Sequence, residues 1–450
     1  MSDVPESFPA GELAWVLGIE DTCVHPPAHF EMAVLDEFDL TEHTTQWRAD
    51  LAAVRDLGAS AVRYGVSWPV VHTAPGVFDW SVLDERLRYA AGELGLTVIA
   101  DLVHYGTPTW LTDSFADPRY PEAIAEFTAA FADRYRGLVD HLTPLNEPVT
   151  TASFCGLRGV WPPALSGWRG WTTVTLAIVE GIRTSIAAAR AVNPDVVIVH
   201  VEASALYSAG SEDLQQHAEQ LGAIAELPLD LLLGRVGPDH ALAGWLLEQG
   251  ARPEDLARLR EDVPGIDLLG VNYYPDLTPR TLVHGDGTVE QVATNHWHEG
   301  LRRCLTRFAE RVDAPILVTE TSIEGEDDVR ADWLVASVQA VGDLRAEGLD
   351  IRGYTWWPLL DFVDWSYASG GRNVEEFLLG SPQDEAVAPA AEEYFGDVAE
   401  GKTAFLRRMG LLSLQEGVDG GLARVPTAAA AAFRAAAAPS GVRPAVGDGR

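Results

Sequence analysis

Two glutamates close short apolar runs in this chain. Glu147 ends Thr143-Pro144-Leu145-Asn146-Glu147 and is followed by Pro148; Glu320 ends Ile316-Leu317-Val318-Thr319-Glu320. A carboxyl group at the end of a buried strand can be shielded from water, which equips it to give a proton to a leaving group. A second carboxylate facing it can attack or stabilise the carbon that loses that group. Two opposed carboxylates are what cleavage of a glycosidic bond requires, ~5–5.5 Å apart for retention of configuration and wider for inversion. A single glutamate is usually a helix cap or a surface ion-pair partner. Two at strand ends, one of them inside Asn-Glu-Pro, fit that plain explanation poorly.

The elements that must carry them follow a repeat. Brief apolar runs rich in Val, Ile and Leu occur at 15–19, 61–66, 97–103, 142–145, 196–201, 268–271, 315–318 and 353–355. Such runs suit parallel strands buried on both faces. Amphipathic stretches lie between them. Residues 46–57 put Trp47, Leu51, Val54 and Leu57 on one face, with Gly58 as a C-terminal cap; 83–94 ends the same way at Gly95. Further helices are expected at 121–135 and 331–346, and the Ala-rich run 428–438 should end the last one. Eight strand–helix units predict an α/β fold, a single closed (β/α)8 barrel. An open doubly wound sheet would place a Gly-rich loop after its first strand. Here Gly18-Ile19-Glu20-Asp21-Thr22 is acidic and would repel a pyrophosphate. In a barrel the fourth and seventh strand ends face each other across the mouth, and those are the ends that carry Glu147 and Glu320.

Bulk composition narrows the partners. The chain has 450 residues, 47% of them hydrophobic, and a formal net charge of -35 from 67 acidic and 32 basic residues. That surface repels nucleic acid and anionic membranes and disfavours anionic substrates. Three widely spaced cysteines, Cys23, Cys155 and Cys304, argue against a disulfide framework or a zinc site. The N-terminal residues lack an apolar leader and no apolar run reaches membrane-span length, so a cytoplasmic location is expected, with no metal and no cofactor. A small-molecule substrate is expected, and a homo-oligomer stays open. The barrel should span 1–435, including a long acidic insertion at 366–405 that shapes the mouth, and 436–450 should be a disordered tail.

From about residue 12 to 435 the sequence resembles glycoside hydrolase family 1, the β-glucosidases and β-galactosidases. The carrying motifs are Thr143–Pro148, Val318-Thr319-Glu320, Arg63-Tyr64-Gly65-Val66-Ser67-Trp68-Pro69, Val103-His104-Tyr105-Gly106-Thr107-Pro108, Asn272-Tyr273-Tyr274 and Trp357-Pro358-Leu359-Leu360-Asp361-Phe362-Val363-Asp364-Trp365. The resemblance implies retaining exo-β-glycosidase activity with Glu147 as acid/base and Glu320 as nucleophile. It implies that Arg63 and Tyr274 orient Glu320 and keep it ionised, and that His104 and Asn146 bind sugar hydroxyls. Asn272 would line the site, Trp357 would form an aromatic floor, and Asp364 and Trp365 would bind outer hydroxyls. A cis bond is expected before Pro358, where proline makes it inexpensive.

Several positions depart from the family. No Gln follows the first strand, and Glu20 or His25 would have to fill its place. Asp364 is shorter than the usual Glu, Tyr105 replaces a Trp, and Thr321-Ser322 follow the nucleophile. The catalytic pair is kept while the sugar-binding shell is altered. Phosphorylated sugars are not expected, because Asp364 and Glu20 would face the phosphate and no Lys or Arg cluster follows strand eight except Arg372. Rival readings are a transglycosylase or endo-acting relative of the same clan, and a sugar-binding barrel without activity. A metal-dependent hydrolase fails for want of a His-x-His run on the first strand.

Overall fold

The computed structural model describes residues 8–285, 287–369, 401–417 and 420–438. All eight apolar runs become parallel strands: β1 (Ala14–Gly18), β2 (Ala61–Gly65), β3 (Thr97–Asp101), β4 (His141–Thr143), β5 (Val197–Ala203), β6 (Leu268–Asn272), β7 (Ile316–Glu320) and β8 (Ile351–Trp356). They close into one barrel in chain order. β1 seals it by pairing Trp15 with Tyr354 of β8 on one side and Val16 with Ala61 of β2 on the other. Val16, Ala61, Ile99, Val197, Val199, Val201, Leu268 and Leu317 pack in the barrel centre, with Phe8 wedged against His141 at a 5.4 Å ring separation. β-branched side chains suit this doubly buried sheet because their stiff χ1 rotamers pack on a pleated surface.

Helices follow each strand: α1 (His43–Asp56), α2 (Ser81–Leu87), α3 (Tyr120–Arg134), α4 (Gly167–Val192), α5 (Gln215–Leu232), α6 (Trp297–Arg311), α7 (Asp327–Ala346) and α8 (Ala428–Ala437). α1 starts three residues earlier than its periodicity suggests, and α2 widens into a looser turn over Arg88–Glu93 before Gly95 stops it at φ +66°. Gly58 ends α1 at φ +94°, a conformation that favours glycine. Tyr120, Ile124, Phe127 and Phe131 of α3 are buried, as the 3.6-residue spacing requires.

The expected insertion at 366–405 lies outside the described residues over 370–400. Its two flanks are described: a short turn at Trp365–Ser369 and a return at Leu406–Arg407, which pairs antiparallel with Phe362–Val363. The first two residues of the tail expected from 436 are helical, since α8 runs through Ala437; 439–450 lie outside the described residues. The Trp357-Pro358 bond is cis, as expected.

Candidate active site

The C-terminal strand ends open into a cavity lined in part by Glu20, His104, Tyr105, Glu147, Asn272, Tyr274, Glu320, Trp357, Asp364, Trp365 and Arg407. Glu320 is the last residue of β7 and is 4% exposed. The ladder between β6 and β7 slips at this point, pairing Asn272 with Glu320, and a local irregularity of this kind re-aims side chains. One Glu320 oxygen, Oε1, accepts from Arg63 Nη1, and Oε2 accepts from the Tyr274 hydroxyl at 2.7 Å. Burial is the largest influence on this carboxyl and pushes it up to about 8; Arg63 works against the rise and the charge of Glu147 adds to it. Arg63 was expected to keep Glu320 ionised. It does pull that way, but desolvation outweighs it.

Glu147 is 5% exposed, two residues beyond the end of the Leu145 run, at φ +48°. Its Oε1 accepts from Asn272 Nδ2 at 2.6 Å and its Oε2 from the Tyr105 hydroxyl at 2.9 Å. Asn146 joins the two glutamates. Its Oδ1 accepts from Arg63 Nη2 at 2.7 Å and, more distantly, from Asn272 at 3.4 Å. Asn146 is wholly buried behind the lining, and its amide nitrogen is taken by Tyr105 at 2.9 Å and by His104 Nε2 at 3.2 Å. Tyr105 is part of the cavity lining and Asn146 lies behind it.

His104 packs flat on the Trp357 ring, with centroids 5.6 Å apart and planes 1° from parallel; Arg63 lies 4.8 Å from the centroid of that same ring. Nδ1 of His104 meets Asp21 at 2.7 Å and Asp101 at 3.1 Å. Burial disfavours its charge, yet the two carboxylates outweigh burial and push the imidazole well above its usual value. The Asn146 contact would favour a neutral ring, because Arg63 claims the amide oxygen and leaves only a donor facing Nε2. The two carboxylates on Nδ1 favour the imidazolium, so the contacts on the two ring nitrogens pull in opposite directions. Asp21 is pushed up to about 6, by burial above all.

Glu20 and His25 separate. Glu20 lines the cavity, accepts from Trp357 Nε1 at 2.8 Å, and is braced by the Thr22 hydroxyl at 2.6 Å. His25 is not in the lining and pairs with Asp36 at 3.2 Å. The cause is local: Cys23–Val24 folds into an antiparallel pair with Leu35–Asp36, which turns the chain away from the cavity. Counting from Gly18 had placed both residues as candidates, and the structure retains Glu20 alone. Asp364 is 2% exposed, with its oxygens on the Ser366 amide at 2.8 Å and on Arg407 at 3.4 Å. Trp365 stacks edgewise among Tyr105, Phe154 and Trp161.

Sequence reading did not single out Asp21, Asp101 and Arg407. Asp101 carries the same signature as the glutamates, a charge closing the apolar run Thr97–Asp101. Arg407 has no local signal, since pairing across the 370–400 segment brings it to Asp364. Arg407 also ion-pairs with Glu324 at 2.6 Å.

Among the described residues, two groups bring three metal-ligating atoms within 4.8 Å: Asp21, Asp101 and His104; and Cys23, His25 and Asp36. In the first, Asp101 is already paired with Arg63, and His104 Nδ1 with both carboxylates. In the second, Asp36 Oδ2 accepts from both neighbours, at 3.7 Å from the Cys23 sulfur and 3.2 Å from His25. The proximity of Cys23 to His25 and Asp36 was not legible from cysteine spacing. All three cysteines are buried and free.

A closed parallel barrel with two glutamates at opposed strand ends has the architecture of the barrel glycoside hydrolases. No family model matches the chain. Curated relatives include β-glucosidase A of Thermotoga maritima, 23% identical over 361 residues (72% of this chain, 79% of the relative). Thermostable β-glucosidase B of Thermobispora bispora is 26% identical over 384 residues (74% and 75%). The bifunctional β-D-glucosidase/β-D-fucosidase of Bifidobacterium breve is 23% identical over 409 residues (76% and 86%). Among solved structures, a family 1 β-glucosidase from Thermotoga maritima superposes with a TM-score of 0.74 at 17% identity, covering 96% of this chain and 97% of that one. The same enzyme's complex with deoxynojirimycin gives 0.73 at 16%, covering 96% and 99%. The chain is thus similar in sequence to curated β-glucosidases and in fold to a family 1 β-glucosidase.

Proposed function

We propose that this protein is a retaining, exo-acting β-glycosidase that hydrolyses a β-glucoside or related β-glycoside through a covalent glycosyl-enzyme. The observation that carries this is the paired grip on two carboxylates at one cavity. Glu320 is held on both oxygens by Arg63 and Tyr274, and Glu147 on both by Asn272 and Tyr105.

In the first step Glu147 gives its proton to the glycosidic oxygen while ionised Glu320 attacks the anomeric carbon. The C–O bond to the aglycone breaks and a glycosyl ester forms on Glu320. In the second step Glu147, now a carboxylate, takes a proton from water; the water attacks the same carbon and the ester bond to Glu320 breaks. His104 and Glu20 offer polar groups to the hydroxyls of the bound sugar. The Trp357 face provides an apolar floor, and Asp364 and Trp365 meet its outer hydroxyls.

The substrate is a small molecule, and neither nucleic acid nor a membrane surface suits a chain of net charge -35. No helix among the described residues is long and apolar enough to cross a membrane. Three free, buried thiols fit a reducing compartment such as the cytoplasm.

The test is a panel of aryl β-glycosides covering glucose, galactose, fucose, xylose and glucuronate. Glu320→Gln should abolish turnover of every one. Glu147→Ala should slow substrates with poor leaving groups far more than activated aryl ones, since an activated phenolate leaves without a proton. Equal activity of Glu147→Ala and the parent on both kinds would remove the acid/base assignment.

A further inference from the structure

Tyr105 occupies a position where the sequence departs from the family pattern, and its hydroxyl touches Glu147. The direction of that hydrogen bond follows from its neighbours. A guanidinium has no acceptor, so Asn146 must turn Oδ1 toward Arg63 and Nδ2 toward Tyr105. The amide N–H then occupies the phenol oxygen, and the phenol's own hydrogen is left for Glu147 Oε2 at 2.9 Å. Hydrogens thus run one way, from Arg63 through Asn146 and Tyr105 to Glu147.

The hydroxyl is held firmly. Tyr105 sits at φ +75°, a strained conformation for a bulky residue that persists only where its surroundings enforce it. Its ring is fixed between Trp161 at 5.2 Å and Trp365 at 5.3 Å. Gly106 follows it, and a side chain there would collide with the Cys23 carbonyl.

We infer that Tyr105 is a positioning residue for Glu147, fixing its carboxylate and favouring the ionised form that accepts the proton of the hydrolytic water. The inference rests on the assignment of Glu147 as acid/base. Other groups face Glu147 from the surrounding strands: the Asn272 amide on Oε1, the Glu320 charge, the Tyr274 phenol, and Glu202 of β5, which is buried and paired with His200 at 2.7 Å. Tyr105 and Asn272 are the two neutral donors bonded to Glu147, and Tyr105 has the shorter link to Asn146, 2.9 Å against 3.4 Å. A donor to a carboxylate stabilises its charged form. Without it, Glu147 releases its proton less readily and is less well placed as a base.

The test compares Tyr105→Phe with the parent on an activated aryl β-glycoside, for which hydrolysis of the covalent intermediate limits turnover. The expected result is a kcat lower by about tenfold with kcat/KM much less affected, and an acid limb of the kcat profile moved up by on the order of one pH unit. A fall in activity with an unmoved pH profile would mean a packing role and would overturn the inference. A second readout needs no turnover. The Glu147 carboxyl signal in ¹³C-glutamate-labelled protein, identified by its loss in Glu147→Gln, should titrate at higher pH in Tyr105→Phe. With 3-fluorotyrosine placed at position 105, a stronger donor that keeps the ring, it should titrate at lower pH. A signal that stays put in both overturns the inference even if Glu147 is the acid/base. If the signal moves but Glu147→Ala does not discriminate between leaving groups, the acid/base assignment fails and the inference falls with it.

Discussion

Glu320 must be ionised to attack, and burial works against that. With its carboxyl pushed up to about 8, the ionised fraction grows as pH rises through 7 toward 9. The sign is therefore fixed: kcat/KM should climb with pH on the acid side, with a limb near that value. Arg63→Met removes the one cation bonded to Glu320 and should move the limb further up, lowering the rate at pH 7 by about tenfold for each unit moved. A pH profile on an aryl β-glycoside checks both statements, and a limb at the ordinary carboxylate range in the parent would contradict the first. Arg63 also bonds Asp101 and Asn146, so its loss should reach the orientation of Glu147 through Asn146. A double substitution with Tyr105→Phe should then be less than additive, as expected for groups in one network.

At the scale of the element, the sugar-facing wall depends on how closely β1 approaches the end of β8. Gly18 has no space for a side chain, because a Cβ would run into the Trp357 ring. Gly18→Ala should push that ring off the cavity floor and away from His104. The expected loss in kcat/KM is about a hundredfold, since ~1 Å misplacements in an active site have that effect; near-UV circular dichroism would report the displaced tryptophan. The strands were legible in the sequence because both faces are buried, which leaves apolar runs with a charge at the end. Glu147, Glu320 and Asp101 all share that signature. What stayed hidden depends on pairing that no local pattern records. His25 is turned toward Asp36 by the two-residue ladder of Cys23–Val24 with Leu35–Asp36. Arg407 reaches Asp364 through the ladder of Leu406–Arg407 with Phe362–Val363. Asn146 lies in the motif as read, but its bonds to Arg63 and Tyr105 depend on side chains from other strands.

Over the whole molecule the acidic field should filter substrates. A net charge of -35, with Glu20 and Asp364 in the cavity lining, opposes a sugar carboxylate. The aryl β-glucuronide should be the poorest substrate of the panel, and its deficit relative to the glucoside should shrink as salt is raised to about 0.5 M, where charges are screened beyond ~4–5 Å. A deficit independent of salt would assign the discrimination to contact rather than to the field.

Barrel closure carries a further consequence, for biosynthesis. β1 hydrogen-bonds to β8, so residues 14–18 cannot find one of their two partners until residues 351–356 have left the ribosome. Until then β1 and the newest strand each present an open edge, the surface that invites pairing with other chains. At ~5–20 residues per second the nascent chain is in that state for tens of seconds. The same closure that sets Glu147 opposite Glu320 thus makes the half-made protein sticky, and its yield in a cell should respond to translation speed and to chaperones that shield strand edges.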